Sequence, residues 1–165
     1  MNSVITSITE SIYVVNEFNE VYVVKAYNKN VYETLLFTTN DKVIFMYQKD
    51  NIIYMGGDKG FIYAINILTD EILWDKQIDE TMDKYYLNDD ILYCFNGNKV
   101  YELNLKTQNN ERIYRIINDN QLEAYDYKKE KIIWETKLDS KMNFSLLILK
   151  EGVYSKEVFK KVWKN

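Results

Sequence analysis

Residues Asn51–Ile78 read NIIYMGGDKGFIYAINILTDEILWDKQI, and Glu111–Leu138 read ERIYRIINDNQLEAYDYKKEKIIWETKL. Set 60 residues apart they align without a gap, matching Ile53 to Ile113, Tyr54 to Tyr114, Ala64 to Ala124, Ile72 to Ile132 and Trp74 to Trp134. A sequence that repeats itself in this way folds as repeated supersecondary units, each burying its apolar face against a neighbour. The unit divides into three strand-like runs, IIYMG, FIYAINI and EILWDKQI, separated by turns at Gly57 to Gly60 and Leu68 to Asp70. Gly and Asp tolerate the positive φ that tight hairpins demand, so both turns have a chemical basis.

Working outward, SIYVVNEFNEVYVVKAYNKNVYETLLF from Ser11 is a degenerate copy at an offset of 41, with NEFNE in place of GGDKG and Glu33 where the tryptophan would fall. KVIFMYQKD, from Lys42, is a further short strand before the best copy, and KYYL after Lys84 is its counterpart before the next. A third copy, DILYCFNGNKVYELNLKTQNNERIYRI, lies at an offset of 39 and turns through Asn-Gly. The fourth begins only about 20 residues later, so ERIYRII ends one copy and opens the next; half a unit has been lost. Repeat starts therefore fall near residues 12, 52, 91 and 112, with a truncated one near 153. At the chain's end, Val158, Phe159, Val162 and Trp163 recur at helical spacing opposite Lys156, Lys160, Lys161 and Lys164. That spacing predicts a short C-terminal amphipathic helix, with a final strand as the alternative.

The chain has 165 residues, 47% of them apolar, no proline and only five glycines, so no linker is evident and one domain spanning 1–165 is expected. Fifteen tyrosines with many Ile and Val favour strands. The first residues lack a basic segment followed by an apolar run, and no stretch approaches the roughly 18 apolar residues of a membrane span. One cysteine, Cys94, allows no internal disulfide. The expectation is a cytoplasmic protein without membrane contact. Net charge is −4, divided unevenly: residues 1–110 carry 9 basic against 16 acidic groups, and residues 111–165 carry 12 against 9.

In the two best copies, AINILTDEILW and AYDYKKEKIIW resemble the tryptophan-docking motif, A-x-D-x-x-T-G-K-x-x-W, of quinoprotein-dehydrogenase-like (PQQ-like) β-propellers. The matching residues are Ala64, Asn66, Thr69 and Trp74 in one and Ala124, Asp126, Lys131 and Trp134 in the other, with Asp70 and Glu130 in place of the glycine. The third copy keeps Asn104 and Thr107 but has Arg112 at the tryptophan position. The resemblance implies an all-β, antiparallel β-propeller-like domain of about four blades, closed or open, in which Ala64, Trp74, Ala124 and Trp134 dock neighbouring blades. Two chains joined in a larger ring are the alternative to a single domain.

No histidine occurs, which removes Ser-His and Cys-His nucleophile pairs and imidazole metal sites. Asp79, Glu80 and Asp83, and then Asp89 and Asp90, match no calcium-loop pattern and read as turn residues. The quinone cofactor of the resembled enzymes does not carry over, since its catalytic aspartate, calcium site and vicinal disulfide find no counterparts. Gly56, Gly57 and Lys59 form no phosphate loop. No catalytic residue, cofactor or metal is therefore expected. Lys128, Lys129 and Lys131 interleave with Tyr125, Tyr127 and Trp134 in a way that suits base stacking, but an acidic chain argues against nucleic acid. The expected function is non-enzymatic binding of a protein partner, in the manner of an inhibitor or immunity protein, at a surface the sequence does not locate. A carbohydrate-binding propeller and a remnant of a larger propeller are the alternatives.

Overall fold

The computed structural model of the chain describes residues 5–8, 11–27, 30–78, 80–137 and 139. The expected C-terminal helix and the truncated repeat near 153 lie outside them. Among the described residues all regular structure is antiparallel β, and no helix is long and apolar enough to cross a membrane. By its contacts the chain divides into two units, Met1–Lys84 and Tyr85–Asn165.

The first unit holds two four-stranded meanders. One is ordered β1 (Ile5–Ile8), β2 (Ser11–Val15), β3 (Glu20–Tyr27) and β4 (Asn30–Thr38). The other is ordered β5 (Val43–Lys49), β6 (Ile52–Gly57), β7 (Phe61–Asn66) and β8 (Glu71–Gln77). The strands expected at KVIFMYQKD, IIYMG, FIYAINI and EILWDKQI are β5 to β8. Successive side chains of a strand point to opposite faces, so Tyr13, Val15, Val21 and Val23 leave β2 and β3 on one side. They meet Val43, Ile53, Met55, Tyr63 and Ile65 from the second sheet in a shared core. Burial of each such side chain contributes about 1.5–3 kcal/mol, which is what holds the two sheets face to face.

The second unit is one six-stranded meander: β9 (Lys84–Asn88), β10 (Ile91–Asn96), β11 (Lys99–Asn104), β12 (Asn109–Ile117), β13 (Gln121–Asp126) and β14 (Lys131–Lys137). The third and fourth copies thus share one sheet, and the strand they share is β12. Toward β13 it pairs Tyr114 with Ala124, as β6 pairs Tyr54 with Ala64. Toward β11 it pairs Arg112 with Glu102, as β8 pairs Trp74 with Ala64. One strand thus fills the last place of the third copy and the opening place of the fourth. One face of the sheet carries the core of Tyr93, Phe95, Val100, Ile116 and Leu122, with Tyr114 and Trp134 packed against it.

Tight hairpins set these registers. Asp50 (φ 52°), Asp89 (φ 49°), Gly97 (φ 43°) and Asn118 (φ 50°) stand at the two-residue or three-residue connections, where left-handed backbone is required. Asp89 and Asp90, an acidic pair in the sequence, are the corner of the β9–β10 hairpin.

Candidate functional site

The repeated unit reproduces its local geometry. Ala64 stands opposite Trp74 and Ala124 opposite Trp134, and the register shifts immediately after each alanine, leaving Leu73 and Ile133 of the tryptophan strands unpaired in the ladder. Each tryptophan is half-buried against the tyrosine two strands away, Trp74 on Tyr54 at 6.1 Å and 46°, Trp134 on Tyr114 at 6.3 Å and 45°. The loop before the tryptophan strand is closed by one backbone bond in three copies: Ile67 N–H to the Asn51 carbonyl, Leu105 to Asp90 and Tyr127 to Glu111. In the same loops the Oδ1 atoms of Asn66, Asn104 and Asp126 accept backbone N–H bonds from residues two or three further on, at 2.9–3.1 Å. Two backbone N–H donors, Lys129 first, hold the Asp126 carboxyl below its ordinary range. The position where the resembled motif has glycine keeps a glycine-like backbone without glycine, with Asp70 at φ 58°, Gln108 at φ 58° and Glu130 at φ 49°.

In the third copy Glu102 and Arg112 occupy the places of Ala64 and Trp74, with the register shift retained after Glu102. Glu102 is buried, and it accepts the Tyr114 hydroxyl at 3.0 Å. Burial pushes its carboxyl above the ordinary carboxylate range, against the lowering influence of Tyr114 and Arg112. Burial and the Glu102 charge push the Tyr114 phenol up to about 12. An apolar contact in one repeat is a polar cluster in the next.

The first unit has two polar clusters of its own. Asp41, 2% exposed, accepts the backbone N–H of Lys59 at 2.9 Å and of Phe61 at 3.2 Å, and so caps the β6–β7 hairpin. Desolvation raises its carboxyl, and the two N–H donors oppose the shift. Gly57 has its own reason to be glycine: a Cβ there would overlap the Asp41 carboxylate. Asp70 accepts the Tyr13 hydroxyl on Oδ1 and the Lys25 ammonium on Oδ2 at 2.5 Å, tying the second sheet to the first. Burial, then Asp70, raises the Tyr13 phenol.

On the six-stranded sheet of the second unit Asn96, Lys99, Arg115, Glu123 and Glu135 stand opposite one another across five strands. Arg115 pairs with Glu123 and lies 4.8 Å from the centre of the Tyr125 ring. A cavity of about 370 Å³ opens beside Lys99, Arg115 and Glu123, bounded by Asn98, Ile117 and Asn118.

The residues singled out for nucleic acid do not converge. Tyr125 takes the face of Arg115, Trp134 takes the opposite face with Ala124, and the backbones of Lys128 and Lys129 close the Asp126 turn. Gly57 and Lys59 belong to the Asp41 cap, and Asp90 pairs with Lys106. Asp79 lies outside the described residues. Sequence reading missed Asp41, Glu102, Arg115 and Glu123, because register decides whom they meet. One signal was available for Asp41: the pair Asp41-Lys42 before an apolar strand recurs as Asp83-Lys84.

No family model matches the sequence, and no curated protein matches it. Among solved structures, BamB from Moraxella catarrhalis superposes with a TM-score of 0.53 at 13% identity, covering 83% of this chain and 48% of that one. The WD40 domain of Toxoplasma gondii coronin superposes with a TM-score of 0.51 at 11% identity, covering 81% and 45%. The fold is of the β-propeller kind. The chain spans about half the length of these propellers.

Proposed function

We propose that the chain is a non-enzymatic protein-binding module of the cytoplasm, acting as an inhibitor or immunity-type protein on a partner. The observation that carries this reading is the face of the first sheet turned away from its core. Pairing places Ile12, Val24 and Glu33 in one row and Val14, Tyr22 and Leu35 in the next. Ile12 is 40% and Leu35 48% exposed, and Glu33 is the single charge in the two rows. An apolar sheet face of this extent, exposed in the isolated chain, suits a protein partner better than water. It lies in the acidic part of the sequence, which favours a basic partner.

We assign the repeats to the tryptophan-docking class of propeller blade, with Ala64, Trp74, Ala124 and Trp134 as the docking residues. Supporting this are the alanine opposite each tryptophan, the side-chain-closed turn and the left-handed residue at the glycine position, which recur together.

Affinity capture from the source organism tests the binding role. The wild-type chain is expected to retain one stoichiometric protein, and the doubly substituted Ile12→Asp, Leu35→Asp chain, checked to be folded, is expected to lose it. No stoichiometric partner for the wild type, or undiminished capture by the variant, would count against the reading.

A further inference from the structure

The first sheet has a free edge as well as an apolar face, and the edge raises a separate question. β4 is the last strand of its meander, and among the described residues no strand pairs with it beyond β3. A terminal strand turns alternate N–H and C=O groups outward as a template for another strand, and proteins guard such edges with charge, lysine above all. β8 and β14 end their sheets so guarded, with Glu71, Asp75 and Lys76 in one and Lys131, Glu135 and Lys137 in the other. β4 reads NVYETLLFT and carries Glu33 alone, although it is longer than either. Val31 is 70% and Tyr32 55% exposed, and Glu33, Thr34 and Leu35 are exposed with them. An edge without charge to repel its own kind meets copies of itself in any solution of the protein.

We propose that β4 pairs with β4 of a second copy, antiparallel and centred on Thr34, joining the two first sheets into one. The side chains select this register. Glu33 and Leu35 lie on the apolar face, whereas Tyr32 and Thr34, opposite Lys25 and Val23, lie on the other. The ladder skips Leu36, which packs against the core together with Phe37, the partner of Val21. Opposed residues of antiparallel strands share a face, which excludes a slip by one residue. A two-fold axis at Glu33 would oppose like charges. One at Leu35 would set Phe37, on the core side, against Glu33, on the apolar side, and one at Tyr32 leaves Leu35 and Leu36 uncovered. With the axis at Thr34, threonine faces threonine, Tyr32 faces Leu36 and Glu33 faces Leu35, each pair on one face. The bulge ends the match beyond Leu36, so the contact is self-complementary and closes at two copies. The axis of an antiparallel pair stands normal to the sheet, so the apolar faces of both copies stay on the same side and remain open to another protein.

The test is sedimentation of the full chain from about 1 to 200 µM, the range in which an interface smaller than the standard size associates. The mass of the wild type is expected to rise from one chain towards two. Thr34→Lys, which sets two ammonium groups directly opposite each other, should remain at one chain throughout, a loss of about tenfold or more in affinity. Glu33→Gln should tighten the pair about twofold, because the two Glu33 side chains stand on a diagonal of about 7–8 Å. On mild oxidation Thr34→Cys should cross-link two copies, since opposed residues lie within disulfide reach, whereas Tyr32→Cys and the wild type, whose Cys94 is buried, should not. The proposal is overturned if the wild type keeps the mass of one chain, if Thr34→Lys associates as the wild type does, if Glu33→Gln weakens the pair, or if Tyr32→Cys cross-links in place of Thr34→Cys. Should Thr34→Lys fail to fold, the cross-linking of Thr34→Cys decides alone. Capture of the protein partner by the folded Thr34→Lys chain reports on the apolar face separately, because that substitution lies on the other side of the sheet.

Discussion

Trp74 and Arg112 hold the same place in consecutive repeats, and the residues across from them, Ala64 and Glu102, have changed with them. In the first case a small side chain leaves room for an indole over Tyr54. In the second, a carboxylate fills the space beside Tyr114 and a guanidinium reaches outward from the tryptophan position. The backbone, including the register shift after residue 64 or 102, is the same. What the repeat fixes is therefore the pleat and the bulge; the chemistry between the strands is exchangeable as long as both partners change.

The strongest way to break this equivalence is to exchange one partner only. Ala64→Glu places a carboxylate at a position that is fully buried beside Trp74. It should cost about 3–5 kcal/mol, seen as a loss of the midpoint in urea unfolding. Exchanging both partners in the other repeat, Glu102→Ala with Arg112→Trp, should be neutral or stabilise by about 1–2 kcal/mol, since a buried charge is replaced by an apolar contact. A clear loss of stability in that double variant would show that the polar cluster is not equivalent to the apolar one.

The acidity of the cluster gives a finer test. Glu102 is raised in the folded chain, so its folded form holds a proton that the unfolded form has already released. Its contribution is therefore full at low pH and is lost as pH rises from the ordinary glutamate value, about 4.3, through the raised one. Stability of the wild type relative to Glu102→Gln should fall across that window. A difference that grows in favour of the wild type with rising pH would contradict the burial argument. The smallest effect belongs to the turns: Glu130→Gly at φ 49° should stabilise by about 0.5–1 kcal/mol, measured as a rise in melting temperature, because the left-handed backbone suits glycine.

The strands from β2 onward and their turns were legible in the sequence, while β1 was not, because apolar alternation and Asp, Asn and Gly punctuation are local properties. The shortened spacing before Glu111 likewise announced that one strand serves two copies. That the two copies then merge in one six-stranded sheet follows from the pairing of β12 on both sides, which only the structure states. The missing glycines of the motif read as departures, yet Asp70 and Glu130 adopt the glycine backbone regardless. The row from Lys99 to Glu135 was illegible, because its members are far apart in sequence and meet only through three registers. The same holds for Asp41, whose partners are backbone amides 18 and 20 residues away.

The double use of β12 makes it a seam. Removing any other interior strand of its sheet would sever a hairpin within one copy, but removing β12 would end both copies at once. Each of its side chains faces a different copy on either side, so a replacement there must suit two neighbours at once. Mutational drift should therefore run slowest along Asn109–Ile117, and any re-lengthening of the chain by duplication would have its natural insertion point there.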